Sequence, residues 1–393
     1  MDLVHEIHTT ELRSYRGCRR RHNWAFNENR QPVRTAIPLE FGIAFHKAME
    51  AMYNPETWGA PRTLIAQFAE AAFREECAKQ KSNYLRVTER YGPDDEKERD
   101  YEKLVQLGVG MIYWYVNEQL PVAEFTVVRV EETFQVPILD EQGNQLMCKC
   151  DLCWKKHVQA FGNHGRQTWL GLPVVFEGRI DIILRDKWGN YWIGDWKTTA
   201  RMMTEDADII LEIDDQVTGY VWALRRKLKL GIRGFKYIEL RKGYPEPPQK
   251  LKVTRLGRAY SVSQSQTTDV DTYIETVKAG DPEAYKAGLY NEFIAWLKDE
   301  GTKYIETHTI YKTDKQLDMF QKELLEQARE MIDPATARYK SPGRFACSDC
   351  AFQQPCIDMD QGNDYQYALD TMFEIKPRYY VLNAPSTDKG LSN

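Results

Sequence analysis

No stretch of this sequence is apolar for long enough to cross a bilayer. The opening residues, MDLVHEIHTTELRSYRGC, lack the apolar core of a secretory leader. There is no G-x-x-x-x-G-K-[ST], so the chain carries no P-loop motor, and no flavin or nicotinamide fingerprint argues for a redox carrier. Internal repeats and low-complexity tracts are absent as well. Charge of one sign is scarce: 53 basic residues face 58 acidic ones, for a net charge of −5. The molecule as a whole is therefore no polyanion binder, and any contact with nucleic acid needs locally gathered Lys and Arg. The expectation is a cytoplasmic protein with no membrane association. In that compartment clustered thiols point to metal rather than to disulfides.

The 393 residues are 42% apolar and 28% charged, the balance of a soluble globular protein, and their number permits two or three domains or one core with additions. Residues 1–35 read as an N-terminal segment with a basic cluster at Arg16, Arg19, Arg20 and Arg21 around Cys18. Residues 36–120 show helical spacing, interrupted by the charged turn ERYGPDDEKERD. After Pro121 the pattern changes. FTVVRVEETFQVPIL, PVVFEGRIDIILRD, NYWIGDWKTT and GFKYIELRK are rich in β-branched and aromatic residues and predict strands. Between the last two lies DDQVTGYVWALRRKLKLG, a helix that begins acidic, ends basic and closes on Gly231. Residues 121–245 thus predict an α/β core, with a cysteine-rich insertion at about 140–175. A polar linker and second helical region follow over 246–340, then a segment with three cysteines at 341–360 and a polar tail at 361–393.

The chemistry gathers in EGRIDIILRDKWGNYWIGDWKTT. A hairpin turning near Trp188 places Asp181 opposite Asp195, where facing Cβ atoms lie about 4.5–5.5 Å apart. Two carboxylates that close repel, a poor structural choice but a good seat for a hard divalent cation such as Mg²⁺ or Mn²⁺. Lys197, two residues beyond Asp195, emerges on the same face and can orient a metal-bound water or neutralise a phosphate. A solvent-facing Asp–Lys pair on a ribbon is the plain alternative, and the apolar neighbours Ile180, Ile182, Ile183 and Ile193 count against it.

G-x-x-D followed by D-x-K on the next strand, at Gly178, Asp181, Asp195 and Lys197, resembles the core of the PD-(D/E)XK nucleases. Gln216 and Tyr220 in QVTGY match the Q-x-x-x-Y of the RecB-type branch, and Gly42 and His46 in FGIAFHKAME match its G-x-x-x-H. The resemblance implies a restriction-endonuclease-like core, a mixed central sheet flanked by helices. It implies His46, Asp181, Asp195 and the backbone carbonyl of Trp196 as metal ligands, and Lys197 as the group that positions water. Gln216 and Tyr220 would orient the lysine or the DNA strand. Glu131 is a candidate auxiliary acid with no role assigned to it.

Cys347-x2-Cys350-x5-Cys356, with Cys18 ahead of His46, is similar to the pattern by which AddB-like and CRISPR-adaptation exonucleases hold a [4Fe–4S] cluster. The resemblance makes Cys18 the fourth ligand, and the cluster a clasp joining both chain ends around the core. Four thiolates at this spacing also suit Zn²⁺. A second group, Cys148, Cys150, Cys153 and His157, with His164 further on, forms a candidate zinc site in the insertion, the alternative being small apolar side chains on a strand. Basic stretches at Arg225–Lys229, LRKGY and KLKVTRLGR are candidates for a phosphate-tracking groove. Together these readings predict a metal-dependent DNA exonuclease acting on single strands or ends, in recombination, repair or phage DNA processing, and in host cytoplasm if phage-encoded. With no motor of its own it would act alone or serve a helicase or recombination protein in trans. The alternative is a non-catalytic DNA-binding or assembly protein with a structural iron–sulfur or zinc site.

Overall fold

The computed structural model describes residues 3–376 except 35, 93–99, 121–123, 164 and 204–205. The charged turn at 93–99, His164 and the tail from 377 onward lie outside the described residues. No helix among the described residues is long and apolar enough to cross a membrane.

Seven strands form the central mixed sheet: β1 (His5–Ile7), β2 (Phe125–Pro137), β3 (Met147–Cys148), β4 (Leu172–Asp186), β5 (Tyr191–Thr199), β6 (Ile232–Arg241) and β7 (Ile305–Ile310). The four strands expected from the sequence are β2, β4, β5 and β6. Long β4 organises the sheet. One of its edges pairs antiparallel with β2, from Pro137↔Val175 to Phe125↔Asp186. Its other edge is shared. Short β1 runs parallel to it at Val174–Phe176, and β5 runs antiparallel at Ile182–Arg185. Residues 177–181 of β4 therefore face a gap between β1 and β5, where no strand pairs with that edge.

Helices cover both faces. α2 (Ile37–Met52), α3 (Arg62–Tyr91) and α4 (Tyr101–Trp114) bury Phe41, Phe45, Met49, Phe73 and Ile112 against Ile182, Leu184, Trp192 and Trp196. On the other face α6 (Asp215–Lys227) and α7 (Asp314–Ile332) bury Val221, Leu224, Phe320 and Leu324 against Phe176, Ile180, Ile183 and Phe235. Capping sets where these helices begin. Asp214 Oδ1 accepts from the amides of Gln216 and Val217, and Thr313 and Gln316 close a capping box at α7. α6 stops at Lys227 and Lys229 turns left-handed (φ 51°), so the helix ends before Gly231.

The C-terminal half departs from the expected linker and helices. Lys250–Arg255 and Arg258–Tyr260 form a hairpin that packs with the helices Val270–Gly280 and Asn291–Glu300 around Tyr260, Tyr273, Tyr290 and Phe293. The chain then returns as β7, antiparallel to β6, a sheet strand within a region read as helical. Residues 361–376 are not a loose tail either. Tyr365–Met372 is helical and Phe373–Ile375 pairs with Arg30–Pro32, because Phe373 and Leu369 bury against Trp24 and Phe352.

Motif residue Gly178 has a steric reason. A Cβ there would lie 2.5 Å from Phe134 Cζ and 3.1 Å from Tyr220 Cε1, and the Phe134 ring is itself buried against Phe176 and Tyr220. Gly178→Ala is expected to cost about 1–3 kcal/mol in chemical denaturation through overpacking. An unchanged midpoint would mean the ring moves aside freely.

Candidate active site

The gap beside β4 opens into a cleft of about 380 Å³. Its walls include His46 and Lys47 from α2, Asp181 and Arg179 from β4, Asp195, Lys197 and Thr198 from β5, Glu131 from β2, Gln216 and Tyr220 from α6, and Thr9 and Thr10 at the start of α1 (Thr9–Gly17). Every side chain expected at the nuclease centre lines this one cavity.

The hairpin expected to set Asp181 directly across from Asp195 is paired only as far as Ile182↔Gly194. The strands separate just before the carboxylates. Trp196 donates its amide to Asp181 Oδ2 across the opening, at 3.1 Å. N–H and C=O of one strand residue point to the same edge, so the Trp196 carbonyl is aimed at the same gap. His46 Nδ1 also approaches Asp181 Oδ2, at 3.3 Å. Lys197 Nζ lies 2.7 Å from Asp195 Oδ2, the same-face relation expected of D-x-K. Gln216 Nε2 donates to Asp195 Oδ1 at 3.1 Å, so it orients the aspartate rather than the lysine. Tyr220 packs edge-on against Phe134 while its phenol acts on Lys197 from the side.

Strand alternation reverses at this point. Val174, Phe176 and Ile180 face one core, yet Ile182 and Leu184 face the other. Opposite, between Val130↔Ile182 and Glu132↔Ile180, Glu131 takes φ 51°, a left-handed conformation that side chains other than glycine rarely adopt. Paired strands that roll over together re-aim their side chains, and such irregularities gather at working sites. The roll places Glu131 in the cleft with Arg179 Nε 2.7 Å from its Oε2. A break in alternation at Glu131-Glu132 and Asp181-Ile182 was the signal in the sequence, visible only once the pairing register is known.

Burial dominates the electrostatics. It pushes Asp195 up, more than Lys197 pulls it down, and Asp181 adds to the rise. Asp181 is held low: burial would raise it, but His46, Lys197 and the Trp196 amide together outweigh that. Burial would lower His46, yet Asp181 draws it above its ordinary value. Lys197 is held protonated by the two aspartates despite its burial. Burial pushes Glu131 up to about 7, against the pull of Arg179, which makes it a carboxyl able to exchange protons near neutral pH. Asp195 Oδ2 is buried and, apart from the ammonium beside it, accepts no hydrogen bond of good geometry. A carboxylate set of Asp181, Asp195 and Glu131 beside an imidazole and a lysine fits a divalent cation.

The other expected sites fare differently. Cys148, Cys150 and Cys153 come together, but their fourth partner is His5, not His157. The His157 ring, on α5 (Asp151–Phe161), is half-buried instead among Trp154, on which it stacks, Phe161 and Trp169. Cys18 reaches the C-terminal cysteines: Arg20, just beyond it, donates to Cys356 Sγ at 3.3 Å, and Cys18 and Cys347 both act on Cys350, whose thiol burial pushes up. Among the described residues this set does not close to single-ion spacing as the His5 group does. Several basic groups are engaged with the scaffold. Arg19 pairs with Glu330, Arg20 with Asp360, Arg225 with Asp314 and Lys227 with Glu132, and Lys242 donates to the Pro38 carbonyl.

The mixed sheet opens a gap for Asp195, which is buried, and Asp181, which is half-buried, with Lys197 on the same face, an arrangement able to hold a divalent cation. The profile of the PD-(D/E)XK nuclease superfamily matches residues 8–357, and the chain belongs to that superfamily. Membership implies a metal-dependent nuclease. No curated protein matches the chain.

A carboxyl whose folded pKa is raised binds its proton more tightly folded than unfolded, so ionising it subtracts stability as pH rises through the ordinary carboxylate range to the raised value. In metal-free buffer at neutral pH, Asp195→Asn is therefore expected to melt no lower than wild type. Mn²⁺ should raise the wild-type melting temperature and leave the variant's nearly unmoved. A variant that melts several degrees lower without metal would show instead that the ionised Asp195–Lys197 pair is net stabilising.

Proposed function

We propose that this chain is a metal-dependent DNA exonuclease of the RecB-like branch, acting on single strands or DNA ends in recombination, repair or phage DNA processing. The observation that carries the reading is the convergence of Asp181, Asp195, Lys197, His46 and Gln216 in one cleft, each from the element its motif requires. Asp181, Asp195, His46 and the Trp196 carbonyl would hold Mg²⁺ or Mn²⁺, which when bound lowers the pKa of a water and offsets charge on the scissile phosphate. Lys197, kept charged by its aspartates, positions that water and neutralises the phosphorane-like charge that builds as it attacks. Gln216 fixes the Asp195 carboxylate through Oδ1, while Oδ2 faces the Lys197 ammonium. Tyr220, packed edge-on against Phe134, lines the same cleft as the lysine.

For Cys18, Cys347, Cys350 and Cys356 the reading is a [4Fe–4S] clasp. It is supported by the packing of the two chain ends on each other, with Cys350 and Cys356 half-buried beside Trp24 and Phe352. Absence of a P-loop supports a stand-alone enzyme or one that serves a helicase or recombination protein in trans.

The test is digestion of end-labelled single-stranded DNA with Mn²⁺ by anaerobically purified protein. Stepwise shortening by wild type and none by Asp195→Ala supports the exonuclease, and the labelled end gives its polarity. Internal cuts in circular single strands would replace exonuclease with endonuclease. DNA binding without cleavage by either protein would favour an assembly role. On the same sample, about four iron atoms per chain with broad visible absorption are expected, lost in Cys350→Ser.

A further inference from the structure

We infer that His5, Cys148, Cys150 and Cys153 form a structural zinc site that staples the N-terminal strand to the cysteine-rich insertion. Their ligand atoms all lie within 4.8 Å of one another, and His5 Nδ1 is 3.1 Å from Cys153 Sγ. A zinc ion with bonds of about 2.3 Å to sulfur and 2.0 Å to nitrogen sets tetrahedral ligands about 3.5–3.8 Å apart, so the four atoms stand within about 1 Å of that arrangement. Cys148 and Cys153 are fully buried, His5 nearly so, and Cys150 is partly covered. All three sulfurs are free thiols.

The chemistry selects the metal. Three thiolates and an imidazole, with no carboxylate among them, suit zinc rather than magnesium or calcium. Four protein ligands in a buried pocket leave no open position, so the role is structural rather than catalytic. The alternative, thiols serving as small apolar side chains, gives no reason for their sulfurs to converge on a buried imidazole drawn from the far end of the chain.

The surroundings are arranged as a knuckle. Cys150 caps α5, its sulfur accepting the Cys153 amide at 3.5 Å, and a helix N-terminus favours a thiolate. Cys148 sits on β3, held against β4 through Leu172. Gly171 (φ 102°) lets the chain pass close by: a Cβ there would be 2.8 Å from the Cys148 carbonyl. Across the site, Lys156 of α5 donates to the Val4 carbonyl and to Glu6 Oε2, so β1 is gripped on both sides of His5.

What the staple secures is a strand too short to hold itself. β1 has three residues and only three backbone pairings to β4. His8 then satisfies the Glu177 carbonyl at the open edge, and Thr9 and Thr10 enter the cleft. Beyond them Arg13 and Arg16 of α1 pair with Asp214 and Asp215, at the start of the helix whose Gln216 holds Asp195. The zinc thus anchors the wall of the cleft opposite the aspartates.

The experiment is element-specific. Full-length wild type, expressed with zinc and purified without chelator, is expected to hold one zinc per chain. X-ray absorption at the zinc edge should fit three sulfurs and one nitrogen. His157→Ala should keep that zinc, whereas His5→Ala and Cys153→Ser should fall to about a tenth of it or less. Three results would overturn the site: folded wild type without zinc, a shell of four sulfurs, which would assign the zinc to the Cys18 set, or zinc lost from His157→Ala and kept in His5→Ala. The first two are read on wild type, so a variant that fails to fold leaves the inference testable.

Discussion

The structure depends on an edge of β4 that no strand occupies. At Val174–Phe176 that edge belongs to β1 and at Ile182–Arg185 to β5, and the residues between are left to side chains. Unpaired backbone inside a sheet is costly, so it is met by other means: the His8 ring on the Glu177 carbonyl and the Asp181 carboxylate on the Trp196 amide. These substitutions hold the gap open. They also make it polar at the centre of an otherwise apolar sheet, which is where a hydrolytic site needs to be.

Crowding carboxyls into that gap opposes folding. Asp195 and Glu131 are raised by burial, and only Asp181, with His46 and the Trp196 amide beside it, is held low. The fold tolerates this because two large apolar cores flank the site, one beneath α2–α4 and one beneath α6 and α7. The same cores explain the motif glycine, which lies under the rings of Phe134 and Tyr220. Stability made in the cores offsets a charge arrangement that a bound cation would relax.

The N-terminal segment and the last described residues are joined by contacts between distant residues. The strand Phe373–Ile375 pairs with Arg30–Pro32, Arg30 bridges to Asp370, and Arg20 to Asp360. In the N-terminal segment Arg19 and Arg20 are likewise engaged, with Glu330 and Asp360. The same holds for Arg225 and Lys227 at the end of α6, whose partners are Asp314 and Glu132.

The sequence by itself determined the four core strands, the helix between them and the positions of Gly178, Asp181, Asp195, Lys197, Gln216 and His46. The strands, the helix and the Asp181, Asp195 and Lys197 set follow from local alternation, charge pattern and short spacing, which survive folding unchanged, whereas Gly178, Gln216 and His46 stood out through the motifs they match. Glu131 and His5 were not legible in the same way. Glu131 enters the cleft only because β2 and β4 roll over together, which depends on their mutual register. His5 meets Cys153 across 148 residues because β1 docks on the same strand that carries the insertion, while His157, the near neighbour in sequence, is turned away into an aromatic stack. Spacing along the chain constrains only what lies within a turn or a hairpin, and which distant histidine closes a set of thiols is decided by how the sheet is assembled.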